Sequence, residues 1–135
     1  MVIMTARILQ IIVGLAGLCA LVLGLVIWIA NIDLTDIHML FGLLVTLGLL
    51  VMSIIALTAP GLRIWGFAGI VYAIILLIFG ESQSNILAGN LHWLIQVLHT
   101  LVGIGALVLT GFLGARYRTL KRDEAKPEAS SQALR

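Results

Sequence analysis

Charge is scarce in this chain of 135 residues. Only 10% of its residues are charged, whereas 61% are hydrophobic. A soluble domain carries about 25% charged and 45–50% apolar residues, so this composition excludes an ordinary soluble domain and indicates a membrane protein. Cysteine is nearly absent as well, and the single Cys19 excludes a disulfide within the chain.

Acidic residues are missing from the interior of four apolar runs, at roughly 8–30, 37–57, 64–79 and 91–113. A helix crosses a bilayer with about 20 apolar residues. Three runs reach that length, and we expect the third to extend past Gly80 or to begin a few residues early. The first run is too long for a signal peptide, and Trp28 stands where a cleavage site requires a small residue. We therefore predict four retained helices.

Lysine and arginine are absent from two of the loops, at 31–36 and 80–90. Basic residues instead precede the first run (Arg7), separate the second from the third (Arg63) and follow the fourth (Arg116, Arg118, Lys121 and Arg122). The positive-inside rule then places both termini in the cytoplasm and the two loops without basic residues on the outer side.

The links between the runs are short, which favours an antiparallel arrangement. The predicted fold is all-α, an up-down-up-down four-helix transmembrane bundle over residues 1–118. Residues 119–135 mix charged residues with Pro, Ser and Ala. Such a composition predicts a disordered cytoplasmic tail.

Histidine occurs three times, and two copies share the pattern H-x-L-x-G: His38 with Gly42, and His99 with Gly103. A histidine within a membrane helix is costly and indicates a functional site. The second and fourth helices run in the same direction, so both histidines lie in the outer half of the membrane. Each glycine is four residues further along and shares the face of its histidine.

Bundle geometry relates the two histidines to a metal. Neighbouring helices pack 8–10 Å apart, so the diagonal helices of a square bundle lie about 13–14 Å apart. An imidazole reaches about 4.5 Å from Cα and a metal–nitrogen bond adds about 2 Å, so two such reaches span ~13 Å. We expect His38 and His99 to be the axial ligands of one haem b. Gly42 and Gly103 would clear the porphyrin, although small residues also serve ordinary helix packing.

Two further residues of the fourth helix are candidates for the same site. Gln96 lies one turn before His99 and would orient that ring or a haem propionate. His92 lies two turns before His99, close to the outer interface. It is either an interfacial side chain, a propionate contact or, in place of His99, a ligand.

Acidic residues surround the predicted outer end of the site, where Asp33, Asp36 and Glu81 stand without a basic neighbour. These carboxylates would repel haem propionates that point outward. The alternative is a transition metal held by His38, His92 or His99 together with Asp36, since imidazole and carboxylate suit zinc, copper or iron. Such a site needs its ligands closer together than the diagonal allows.

Over residues 7–118 the pattern resembles small bacterial four-helix membrane proteins of the b-type cytochrome kind. The stretch 95–103, Ile-Gln-Val-Leu-His-Thr-Leu-Val-Gly, is similar to the last helix of small bacterial four-span families. The resemblance implies a bacterial inner membrane protein that passes electrons between quinol and an outer-side redox partner, as an electron-transfer protein or a quinol-linked oxidoreductase. With three histidines, the chain supports one bis-histidine haem and no second one.

Two other functions remain open. A small transporter without cofactor fits the length and the four helices, but a proton-coupled one needs a membrane-embedded carboxylate that the runs lack. An accessory or assembly subunit of a membrane complex fits the many glycines and is compatible with a bound haem. Nucleic acid is not an expected partner, because the short basic segment lacks interleaved aromatic residues. The lipid bilayer is the expected environment, and the sequence leaves oligomerisation open.

Overall fold

The computed structural model describes residues 2–87 and 89–133. They form four long helices: α1 (Val2–Ala30), α2 (Thr35–Leu57), α3 (Arg63–Ser82) and α4 (His92–Ala133). Two short 3₁₀ turns, Pro60–Leu62 and Gln83–Asn85, stand before and after α3. Each long helix is apolar enough to cross a membrane. The predicted all-α four-helix transmembrane bundle is confirmed.

Large apolar side chains cover the outside of the bundle. Ile64 is 83% exposed and Ile29 is 76% exposed, and many leucines and isoleucines of all four helices are about half exposed. In water such a surface would aggregate, whereas hydrocarbon tails accept it at no cost. The chain is therefore a multi-pass membrane protein.

The helix ends coincide with residues that interrupt helical geometry. Asn31, directly after α1, has φ 52°, a left-handed conformation that asparagine tolerates better than most residues. α2 ends shortly before Pro60, which cannot continue a helix. Gly89, with φ 104°, turns the chain before α4 in a conformation that favours glycine. As expected for the third apolar run, α3 extends past Gly80.

α2 is the central helix of the bundle. It contacts α1, α3 and α4, whereas among the described residues α1 and α3 do not contact each other. The cross-section is therefore a rhombus with α2 and α4 on its short diagonal, and the square arrangement assumed from the sequence is wrong. The buried face of α2 carries small and hydroxyl-bearing side chains, which permit close packing between membrane helices. Of these, Gly48 lies against Val13 of α1, and Ser53 lies against Gly69 of α3.

The bundle is tightly packed in the half that contains the start of α1 and the end of α2. Its largest fully buried side chains include Val13, Leu49, Met52 and Leu113. A Cβ on Gly48 would collide with Val13, so this glycine lets α1 rest directly on α2. We call this part the closed half, and the remainder, towards the loops at 31–34 and 83–91, the open half.

Gly66 provides a test of packing in the closed half. A Cβ on Gly66 would lie 2.8 Å from the backbone oxygen of Ser53, and a helix backbone cannot move aside as a flexible side chain can. We expect Gly66→Ala to lower the free energy of unfolding by about 1–3 kcal/mol, the usual cost of overpacking. Unfolding in mixed detergent and SDS, followed by tryptophan fluorescence, measures it.

The matched control is Gly14→Ala, because a Cβ on Gly14 meets nothing within 4 Å. We expect this variant to unfold at the same SDS fraction as the parent or slightly later, since alanine is the better helix former. If both alanine variants unfolded at the same SDS fraction, α2 and α3 would not be closely packed at Gly66.

α4 continues as a helix through residues 119–133, where the sequence predicted a disordered tail. Alanine, leucine, lysine, arginine and glutamate supply much of this segment, and all five favour helix. Lys121 also forms an ion pair with Glu124 at 2.7 Å, one turn further on. Residues 134 and 135 of the predicted tail lie outside the described residues.

Candidate functional site

A cavity of about 550 Å³ occupies the open half, and we call it the histidine cavity. All four helices contribute to its wall, because the small residues that face inward here do not fill the space between the helices. The wall includes both predicted ligands, His38 and His99, and also Gly17, Ala20, Gly24, Gly42, Thr46, Leu76, Gly80, Gln96, Gly103 and Leu107.

His38, in the first turn of α2, is held against α1. Its Nδ1 lies 2.9 Å from the backbone oxygen of Ala20. Because a carbonyl oxygen only accepts, Nδ1 carries the proton and donates it, which leaves the lone pair on Nε2. This is the usual arrangement of a histidine that binds a metal. The ring approaches α1 closely: a Cβ on Gly24 would lie 3.1 Å from Cε1 of His38.

His99, two turns into α4, faces the interior between α2 and α3. Its Nδ1 is buried and has no hydrogen-bond partner among the described residues. A buried polar atom without a partner is rare in a folded protein, and this nitrogen belongs to a residue that lines the histidine cavity. The ring of Phe79 lies beside it, with the ring centres 5.9 Å apart.

The two histidine rings face each other across the short diagonal of the bundle. Their centres are 5.9 Å apart and their planes are inclined by 57°. A metal–nitrogen bond is about 2 Å long and an imidazole nitrogen lies roughly 1 Å from its ring centre, so two rings on opposite sides of one ion have centres about 6 Å apart. The observed separation is compatible with that value, and it also lies in the range of ordinary ring contacts, such as that between His99 and Phe79.

Gly42 and Gly103 stand next to the histidines on the same walls of the cavity. A Cβ on either residue would meet nothing within 4 Å. These two glycines are therefore not needed for the contact between helices, unlike Gly48 and Gly66 in the closed half. They border empty space one turn deeper than each histidine.

Gln96 and His92 have different positions relative to the site. Gln96 lines the histidine cavity, but Nδ1 of His99 has no partner, so Gln96 does not hold that atom. His92 is not part of the cavity wall among the described residues. Its Nδ1 lies 3.3 Å from the backbone oxygen of Ile86, in the loop that precedes α4. The structure therefore brings together five of the six predicted site residues and leaves His92 outside.

The mouth of the cavity is polar and acidic. Thr35, Asp36, Glu81 and Gln83 line it together with Trp28. The two carboxylates come from the start of α2 and the end of α3. The sequence predicted acidic residues here, and the structure places Asp36 and Glu81 at the cavity but leaves Asp33 outside its wall.

The donors available inside the cavity are mainly imidazoles. The hydroxyl groups of Thr46 and Thr100 each donate to a carbonyl of their own helix, at 2.9 Å in both cases. In the part of the chain that the structure describes, no group of three or more His, Cys, Asp or Glu side chains is placed to hold a metal ion. A bare ion held by three such side chains is thus not assembled among the described residues.

Three contacts of the site were not predicted from the sequence. The acceptor for His38 is the main-chain oxygen of Ala20, which no side-chain pattern reveals. Gly24 and Gly80 lie against His38 and His99, with a Cβ on Gly80 placed 3.9 Å from Cε1 of His99. For Gly24 the sequence did contain a signal: Gly17 and Gly24 are seven residues apart, which puts both on one face of α1.

Comparison of the chain with models of protein families, with curated proteins and with solved structures found no match. The function of the chain is therefore inferred from its site alone.

Proposed function

We propose that this chain is a membrane b-type cytochrome that binds one haem b in the histidine cavity, with His38 and His99 as the axial ligands. The observation that carries the proposal is the 5.9 Å separation of the two ring centres across a cavity. Two imidazoles at this distance, on helices that run in the same direction, are arranged to share one iron between them.

The donor chemistry supports the same assignment. The hydrogen bond from His38 to Ala20 fixes the tautomer in which Nε2 accepts a metal. The unpartnered Nδ1 of His99 shows that no side chain in the described part of the chain competes for that atom. Because both rings are on long helices that contact each other, they are held by helices rather than by loops.

The cavity also has room beside the two histidines. Gly42 and Gly103 leave space beside the histidines that any larger side chain would fill. Leu76 and Leu107 add apolar wall, which excludes water from the buried part of the site. A haem with two axial histidines supplies one-electron transfer and keeps no coordination position open for oxygen. Electron exchange with a membrane quinol and an outer-side redox partner follows as the expected role.

The acidic mouth favours a second candidate, a cofactor-free transporter or binding protein for a small organic cation. Asp36 and Glu81 would attract a positive charge, and the apolar wall would accept the rest of such a molecule. This candidate assigns no role to the separation of the two histidine rings. It also assigns no role to the unpartnered Nδ1 of His99. We therefore place it second.

The visible absorption spectrum of the purified full-length chain tests the proposal. Protein from haem-replete cells is expected to be red, with a sharp band that shifts on reduction with dithionite and one haem b per chain by the pyridine haemochrome assay. Carbon monoxide is expected to leave the reduced spectrum unchanged, because both axial positions are filled. A colourless protein that also takes up no added haemin contradicts the proposal and favours the cation candidate.

A further inference from the structure

A second cavity, of about 500 Å³, lies between α1 and α4 at the opposite end of the molecule from the mouth of the histidine cavity. Its wall includes Arg7, Gln10, Gly14, Gly111 and Arg118. We call it the arginine cavity. None of these residues has a part in the proposed haem site.

Arg118 is held in place at this cavity. Its Nη1 donates to Oε1 of Gln10, and Nε2 of Gln10 donates to the backbone oxygen of Gly111 at 2.7 Å. Gln10 therefore joins α1 to α4 and fixes the half-buried guanidinium at the edge of the cavity. A guanidinium has five N–H donors, so one hydrogen bond to Gln10 leaves donors for a ligand.

The charge at the cavity is of one sign. Arg7 lies one turn before Gln10 on the same face of α1, and it stands with Arg118 at the same cavity. Among the described residues that line it, none is acidic. Two arginines with spare planar donors are the usual means by which proteins bind a phosphate group.

Beyond the arginines, the cavity becomes apolar. Val13 and Leu107 line it, and Cβ atoms on Gly14 and Gly111 would meet nothing within 4 Å. The two glycines leave an open groove between α1 and α4 that runs towards the centre of the membrane. A ligand for this site has an anionic end and an apolar chain.

We propose that the arginine cavity binds an anionic phospholipid. Its phosphate contacts Arg7 and Arg118, and one acyl chain lies in the groove beside Gly14 and Gly111. Basic pockets between membrane helices are known to recognise lipid headgroups in this manner. The inference is independent of the haem proposal, because the two cavities have different residues at their functional ends.

Native mass spectrometry of the full-length chain in detergent tests the proposal. Phosphatidylglycerol is expected to bind more tightly than phosphatidylcholine with the same acyl chains. Arg7→Gln and Arg118→Gln are each expected to weaken phosphatidylglycerol binding about fivefold, the size expected for one basic residue at an anionic lipid surface. The matched control is Arg116→Gln, since Arg116 is an exposed residue of α4 outside the cavity wall. We expect it to leave binding unchanged.

The groove has its own test. Gly111→Leu is expected to weaken phosphatidylglycerol binding without changing any charge, because its side chain would enter the space for the acyl chain. Equal weakening by Arg116→Gln would indicate general surface charge and would overturn the proposal. Displacement of the lipid by millimolar inorganic phosphate would also overturn it, because that result assigns the arginines to free phosphate. If Arg118→Gln does not fold, Arg7→Gln decides, since Arg7 is exposed and forms no part of the Gln10 bridge.

Discussion

Substitution of His99 or His38 by alanine is expected to abolish the haem spectrum completely while the protein stays folded. In the proposed site each ring would supply one of the two axial bonds, and the described wall of the cavity holds no third imidazole, since His92 lies outside it. His99→Ala also removes the buried, unpartnered Nδ1, whose desolvation destabilises the haem-free protein. Absorbance at the haem band, normalised to protein, measures the effect, and circular dichroism reports the fold.

Two controls separate ligation from folding. His92→Ala is expected to retain the full spectrum, because this side chain contacts the loop before α4. His99→Gly, which leaves a space of imidazole size, is expected to regain a bis-nitrogen spectrum when free imidazole is added. Retention of an unchanged haem spectrum in His99→Ala would exclude His99 as a ligand and defeat the proposed site.

A leucine at Gly103 is expected to prevent haem binding without disturbing either histidine. The position borders open space within the histidine cavity, so the new side chain enters the cavity instead of colliding with a neighbouring helix. Gly42→Leu is expected to act in the same way from α2. Haem content per chain after addition of excess haemin is the measurement, and we expect it to fall at least tenfold with unchanged helix content.

Gly111→Leu is the matched control for Gly103→Leu. Both glycines are on α4, both border open space, and the substitution is chemically the same, but Gly111 lines the arginine cavity. We expect Gly103→Leu to abolish haem binding and spare lipid binding, and Gly111→Leu to do the reverse. If Gly103→Leu bound haem as the parent does, the porphyrin would not occupy the space beside Gly103.

The positions of the helices were predictable from the sequence because burial in lipid demands uninterrupted apolar runs. The runs at 8–30 and 37–57 lie within α1 and α2, and Pro60 marks the break before α3. The tail was harder to predict. Lysine, glutamate and alanine are common both in disordered segments and in exposed helices, so composition alone does not separate the two.

The candidate site was predictable in part. The doubled H-x-L-x-G pattern placed His38, Gly42, His99 and Gly103 on one cavity, because the four-residue spacing fixes a shared helix face. The separation of α2 and α4 was not predictable, since it depends on which small residues meet across the bundle. A square arrangement put the two helices on a long diagonal, whereas α2 and α4 are in direct contact. The hydrogen bond from His38 to a main-chain oxygen has no sequence signature.

Leu107 belongs to the walls of both cavities, and its side chain fills the notch at Gly17 on α1. The side chain of this one leucine thus separates the histidine cavity from the arginine cavity, which lie towards opposite ends of the molecule. This leucine therefore stands between a cavity lined by two histidines, near one end of the bundle, and a cavity lined by two arginines, near the other end.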